Sequence, residues 1–292
     1  MVRFVLACLI LFASTLTAQV APAAAPAPVS ASAASARPYT LLYVFGDSYS
    51  DSGAGYVDSN GPTAVVYLAQ RLGIPFTYNG DAASSGKGLN FAVSAASSGE
   101  GAGNRLPGGV IFGLGMKNQV DDFVQMLKAG TIPKIDADHT MFYFAGGLND
   151  GGKPAGFTRA SIEAEVDTLY DLGARRFMIA LLPTKIPVFS AAGVKGNAEL
   201  ATIPAEEKAK HPDIRIANSH WGSFFDEVIT NPAKYGITDT TTDCAQRSFG
   251  NRPVEACANP EAHFYYHSAH PSTATHRAVG DMLYQEAITA AP

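Results

Sequence analysis

The chain has 292 residues, of which 47% are hydrophobic and 16% charged, and a net charge of −5 at neutral pH. That length and apolar fraction supply one substantial core and exclude a disordered or fibrous chain. The mild negative charge, with no stripe dense in Lys and Arg, excludes an electrostatic nucleic-acid surface.

From the start, Arg3, the apolar run Phe4 to Phe12 and the small residues Thr15-Leu16-Thr17-Ala18 read as a secretory signal over residues 1–18. That apolar run is short for a membrane span. Residues 19–37 are nearly all Ala, Pro and Ser, too poor in large apolar side chains to offset their ordering entropy, and read as a linker. The folded domain is therefore expected over 38–292. Cleavage would remove Cys8 and leave Cys244 and Cys257, which in an oxidising compartment read as one disulfide, with two free thiols as the alternative.

Leu41-Leu42-Tyr43-Val44-Phe45 reads as a short buried strand that Gly46-Asp47-Ser48 breaks, placing a hydroxyl at its carboxyl end. Asp and Ser also serve as turn and helix caps, so these three residues alone decide nothing. Residues 62–72 carry Pro at the start and Gly73 at the end, the punctuation of a helix. Gly80 to Gly88 has neither the spacing nor the Lys-Ser/Thr ending of a phosphate loop, which argues against a nucleotide. Asn90-Phe91-Ala92-Val93-Ser94-Ala95 follows, and then a Gly-rich stretch from Gly99 to Gly115 that reads as a surface loop near the site.

Val120, Phe123, Val124 and Leu127 recur at helical spacing, as do Ile162, Val166, Leu169 and Tyr170. Met141 to Ala145 and Phe177 to Leu182 read as buried strands, the first ending in Gly146-Gly147-Leu148-Asn149-Asp150. Strands alternating with such helices imply an α/β fold with βαβ units and a mostly parallel sheet. Residues 186–205 read as an irregular insertion, and Ile214, Ala217, Trp221, Phe224 and Val228 as one long helix with Trp221 in the core. The chain closes on His263-Phe264-Tyr265-Tyr266-His267-Ser268-Ala269-His270-Pro271. The imidazoles of His263, His267, His270 and His276 could hold zinc, but their spacings match no zinc motif and no acidic residue lies between them, so no metal or other cofactor is expected.

Taken in order, Gly46-Asp47-Ser48, Asn90-Phe91-Ala92, Gly147-Leu148-Asn149-Asp150 and His270-Pro271 resemble the signature blocks of the GDSL (SGNH) serine hydrolases, and the resemblance spans about Tyr39 to Ala290. It implies a three-layer α/β/α sandwich with a flavodoxin-like sheet and a carboxylic-ester hydrolase, which the N-terminal signal would make secreted or periplasmic. Its implied parts are Ser48 as nucleophile, His270 as base, and an oxyanion hole of Ser48 N–H, Ala95 N–H and the Asn149 amide. The family Gly of the second block is here Ala95, or Ser94 if the alignment slips by one; a backbone donor survives that change where φ is negative. The Asp that orients the family's base is here His267. Three readings follow: a Ser-His dyad oriented by His267 or a backbone carbonyl, a carboxylate reaching in from Glu261 or Glu255, or a site that binds without catalysis. The expected partner is a small-molecule, polysaccharide or lipid ester, with short acyl or acetyl esters favoured; phospholipids and a non-catalytic glycan- or lipid-binding role are the alternatives.

Overall fold

Among the described residues, the centre of the fold is a six-stranded, all-parallel sheet. The computed structural model describes residues 38–106, 109–246 and 255–289, so the expected signal, the linker and the loop Gly250-Asn251-Arg252-Pro253 lie outside the described residues. In chain order the sheet is formed by β1 (Leu41–Gly46), β2 (Phe76–Tyr78), β3 (Gly88–Asn90), β6 (Thr140–Ala145), β7 (Arg176–Ala180) and β8 (Arg215–Ser219), and across the sheet they run β2-β3-β1-β6-β7-β8. Two small antiparallel pairs, β4 (Ala102–Arg105) with β5 (Ile111–Leu114) and β9 (Tyr265–His267) with β10 (His270–Pro271), stand apart from it.

The helices are α1 (Ala64–Leu72), α2 (Met116–Lys128), α3 (Phe157–Asp171), α4 (Ser190–Leu200), α5 (Ile203–Lys210), α6 (Trp221–Thr230) and α7 (Thr273–Thr289). Strand alternation sends successive side chains to opposite faces. On one face Tyr43, Phe45 and Phe142 pack with Phe123 of α2, ring centroids 4.8–6.0 Å apart. On the other, the Tyr143 hydroxyl meets Ser219 Oγ at 2.9 Å, and that hydroxyl donates to Glu286 of α7 at 2.5 Å. The result is the expected three-layer α/β/α sandwich. β1 and β6 are buried along almost their whole length, which is why both read as unbroken apolar runs.

After β1 the chain moves to the β3 side of the sheet, then crosses to β6 on the other side. This reversal makes the carboxyl edge of β1 and β6 the topological switch point, where crevices form in such sheets. Gly46 is needed at that edge because a Cβ there would lie 2.4 Å from the Ala145 carbonyl oxygen of β6.

Three stretches depart from the sequence expectation. The Gly-rich segment at 99–115 contains the β4-β5 ladder, with Gly103 and Gly113 at positive φ. Within residues 186–205, Ser190–Leu200 form α4 and residues 203–205 start α5. α4 buries Gly193, Gly196 and Leu200, and a face made largely of glycine leaves no apolar periodicity to detect. The long helix expected from Ile214 is instead β8 followed by α6. Ile214 and Ala217 happen to match helical spacing, but Arg215 to Ser219 pair residue for residue with Arg176 to Ala180 of β7. Trp221 is fully buried, as expected.

Candidate active site

The loop after β1 carries Ser48 to the switch point, and its backbone is held from an unexpected quarter. Gln119 of α2, fully buried, accepts the Gly46 N–H and donates to the Gly46 carbonyl, both at 2.9 Å, gripping that peptide on both sides. The sequence offered no signal for this role, since a Gln at a helical position ordinarily reads as a solvated residue.

Next to Ser48, β9 and β10 form a hairpin in which His267 and His270 pair directly. The two residues between them, Ser268 and Ala269, have φ of 39° and 66°; a two-residue turn with both central residues at positive φ is the type I′ pattern, usually built from Asn and Gly. Directly opposed residues of a ladder point to the same side, so the turn aims both imidazoles at one place. The hairpin is tied down at three points. Tyr49 Oη donates to the Ala269 carbonyl at 2.6 Å, the Ser268 N–H donates to Asp243 Oδ2 at 2.7 Å, and Ala245 N–H donates to the Tyr266 carbonyl at 2.7 Å. Cys244, within that same flanking segment, is bonded to Cys257 as the sequence suggested.

The hairpin brings His270 to Ser48 from 222 residues away. His270 Nε2 lies 2.7 Å from Ser48 Oγ, and His270 Nδ1 lies 3.0 Å from the Ser268 carbonyl. Because the carbonyl can only accept, Nδ1 carries the proton, and the Nε2 lone pair receives the Ser48 hydroxyl proton. Of the orienting groups considered from the sequence, the backbone carbonyl is the one found on Nδ1. His267 turns its Nε2 instead to Asp58 Oδ1 at 3.3 Å. Glu261 pairs with Arg277, and Glu255 is exposed; neither belongs to the constellation.

Asp58 is the carboxylate that sequence reasoning missed. Only 2% exposed, it places Oδ2 3.9 Å from His270 Nε2 and takes a hydrogen bond from Ser94 Oγ at 2.6 Å. Its setting, Tyr56-Val57-Asp58-Ser59-Asn60, looks like any polar loop, where Asp is common for turn reasons alone. Two further buried carboxyls flank the nucleophile. Burial pushes Asp47 up to about 7, against a backbone N–H from Tyr49 that pulls the other way. Burial likewise pushes Asp51 up to about 7, although the N–H groups of Gly53, Ser94 and Gly55 all point at it.

Asn149, in the loop after β6, donates from Nδ2 to the Ala96 carbonyl at 2.9 Å, next to Ala95 in the chain, which leaves its second amide hydrogen for another acceptor. Among the described residues the Ser48 and Ala95 N–H groups have no acceptor. Ala95 corrects one expectation: its φ is +63°, not negative. It occupies the third place of a turn closed by Ala96 N–H to the Val93 carbonyl at 3.1 Å, a place where positive φ normally calls for Gly. Ala95 has taken on the backbone of a glycine.

Of the four histidines weighed as zinc ligands, His267 and His270 come together. His263 instead faces Asp239 at 3.8 Å, and His276 is buried with Nδ1 accepting the Ala64 N–H at 3.2 Å.

A hydroxyl bonded to an oriented imidazole, at the carboxyl edge of a parallel sheet, is the pairing by which the serine hydrolase class activates its nucleophile. The chain belongs to the GDSL-like lipase/acylhydrolase family, which matches residues 42–283. A GDSL esterase/lipase of Arabidopsis thaliana is 24% identical over 151 residues, covering 44% of this chain and 42% of the relative, so the chain spans less than half of that protein's length. Another from the same plant is 23% identical over 270 residues, 76% of this chain and 75% of the relative. Among solved structures, a lipolytic protein of the G-D-S-L family from Desulfitobacterium hafniense DCB-2 is 13% identical with a TM-score of 0.44, covering 84% of this chain and 98% of its own.

Proposed function

We propose that the protein is a secreted serine esterase acting on carboxylic esters, with short acyl or acetyl esters as the favoured substrates. The observation that carries this reading is the 2.7 Å contact from Ser48 Oγ to His270 Nε2, with Nδ1 fixed by the Ser268 carbonyl. As Ser48 attacks the ester carbonyl, its proton passes to Nε2, and His270 returns it to the leaving alcohol. The Ser48 and Ala95 N–H groups and the Asn149 amide receive the charge that develops on the carbonyl oxygen. Water then attacks the acyl-enzyme with His270 again as base.

The imidazolium needs a counter-charge, and Asp58 supplies it from the Nε2 side rather than through Nδ1. A unit charge pair near 4 Å is worth about 4 kcal/mol at an effective dielectric of 20, enough to matter to a proton transfer. Phe189, with its ring 6.3 Å from that of His270, adds apolar surface next to the base suited to an acyl group. Export is supported by the disulfide and the N-terminal sequence pattern; among the described residues no helix is long and apolar enough to cross a membrane.

The test is hydrolysis of p-nitrophenyl acetate, butyrate and octanoate by the wild type and by Ser48→Ala, with fluorophosphonate labelling alongside. Activity and labelling that vanish together in the variant support the reading, and the chain-length profile divides a short-acyl esterase from a lipase. A folded wild type that neither hydrolyses nor labels would make it a binding protein on a hydrolase fold.

A further inference from the structure

We propose that Asp58, His267 and His270 form a site for a zinc-like divalent transition-metal ion, and that its occupation switches the Ser48 nucleophile off. One ligand atom from each residue converges, all lying within 4.8 Å of one another, and all three residues are buried. Zinc bonds to imidazole nitrogen and carboxylate oxygen are close to 2.1 Å, so two ligands on one tetrahedral ion sit about 3.4 Å apart. His267 Nε2 lies 3.3 Å from Asp58 Oδ1 and His270 Nε2 3.9 Å from Asp58 Oδ2, so the two imidazoles approach the two oxygens of one carboxylate, and closing the three ligand atoms from within 4.8 Å onto one ion takes side-chain shifts of up to roughly an ångström. Two imidazoles and a carboxylate are borderline-soft donors that prefer zinc, copper or nickel to magnesium or calcium. Three protein ligands leave a fourth coordination position for water or another small ligand.

Local structure supports the arrangement. The cross-strand pairing of His267 with His270 sets the imidazoles on one face, and the hydrogen bonds of Ser94 Oγ and the Ser268 carbonyl hold Asp58 and His270 in their orientations. The second convergence of this kind, Asp167, Glu207 and His211, is different. The Lys210 ammonium already lies 2.7 Å from Glu207 and 3.7 Å from Asp167, so a cation is in place.

The consequence for activity follows from one lone pair. Neutral His270 has a single lone pair, on Nε2, and it can accept the Ser48 proton or bind the metal but not both. Zinc binding thus competes with activation of the hydroxyl. Inhibition rests on the proposed esterase reading; binding itself does not.

The experiment is calorimetric titration of the full, untagged chain with zinc chloride and with magnesium chloride, after chelator treatment, for the wild type, His267→Ala, His267→Gln, Asp58→Asn and His211→Ala. The expected result is one zinc per chain with a micromolar Kd, no magnesium binding, affinity at least ~100-fold weaker in any folded variant at 58 or 267, and an unchanged value in His211→Ala. Zinc should also raise the melting temperature of the wild type, which needs no variant to fold. Fluorophosphonate labelling should slow in zinc and recover on chelation. Wild-type binding weaker than about 1 mM, or affinity retained at 267 and lost at 211, overturns the site. Binding with the expected variant pattern but labelling unaffected by zinc overturns the switch. A wild type that binds zinc yet never labels, with or without metal, leaves the site standing and removes the esterase reading instead.

Discussion

At the scale of single residues, the site is defined by backbone conformations as much as by side chains. Ala95 keeps a positive φ that costs an L-residue roughly 1–2 kcal/mol relative to glycine's freedom. Ala95→Gly should therefore stabilise the protein by about 1 kcal/mol, once glycine's larger unfolded-state entropy is subtracted, and raise the melting temperature by about 2–4 °C. Because the N–H stays where it is, kcat on p-nitrophenyl acetate should be unchanged; a lowered melting temperature would show that the alanine is not strained. Asn149→Ala removes a side-chain donor from the proposed oxyanion hole, and kcat should fall about 100- to 1,000-fold with KM little altered. A loss under tenfold would take Asn149 out of the proposed oxyanion hole. Ser48, Asn149 and His270 were legible through blocks of sequence, because each block couples a chemical residue to a strand end or a turn. Asp58 and Gln119 were not, because one sits in an ordinary polar loop and the other on an ordinary helix, and only the folded chain brings them to the nucleophile.

At the scale of elements, the histidine hairpin holds two of the three non-glycine residues at positive φ among the described residues, and it is tied down from outside. Its Ser268-Ala269 turn uses two non-glycine residues at positive φ, and the segment from Asp243 to Ala245 holds it from the side. The disulfide closes a loop with a sequence separation of 13 next to that segment. A crosslink of that loop length stabilises a fold by on the order of 3 kcal/mol. Cys244→Ser with Cys257→Ser should lower stability by about that amount and also reduce kcat, since the turn that aims His270 loses a neighbour. Dithiothreitol treatment of the wild type checks this directly: unchanged melting temperature and activity would show the hairpin to be self-supporting. This element also shows where sequence reading ran out. β1, β6, α2 and α3 could be read because each buries large apolar side chains at a clean period. α4 buries glycines, β8 is an edge strand of five mostly polar or small residues, and the turn at Ser268-Ala269 lacks the Asn-Gly that would have marked it.

At the scale of the whole molecule, buried titratable groups tie the outer helices to the site. His276 of α7 accepts the N–H of Ala64, the first residue of α1, at 3.2 Å, doing for that helix what its own Thr63 does not. Burial, with a smaller contribution from His270, brings His276 down to about 3 from its ordinary 6.5. Between those values the unfolded chain binds a proton here that the native chain refuses, so this group's contribution to stability falls as pH drops from about 6.5 towards 3. Asp47 and Asp51 act in the opposite sense. Raised from 3.8 to about 7, they hold protons in the native state that the unfolded chain has released, and their contribution falls as pH rises through that range. A raw stability profile sums the two, so the test is a difference. His276→Gln, which removes the titration, should be less stable than the wild type at pH 7.5 and close that gap on acidification to pH 4, by on the order of a few kcal/mol in urea titrations. A gap that stayed constant across that range would mean that His276 is protonated in the native helix pair, and the link from α7 to the start of α1 would have to run through some other contact.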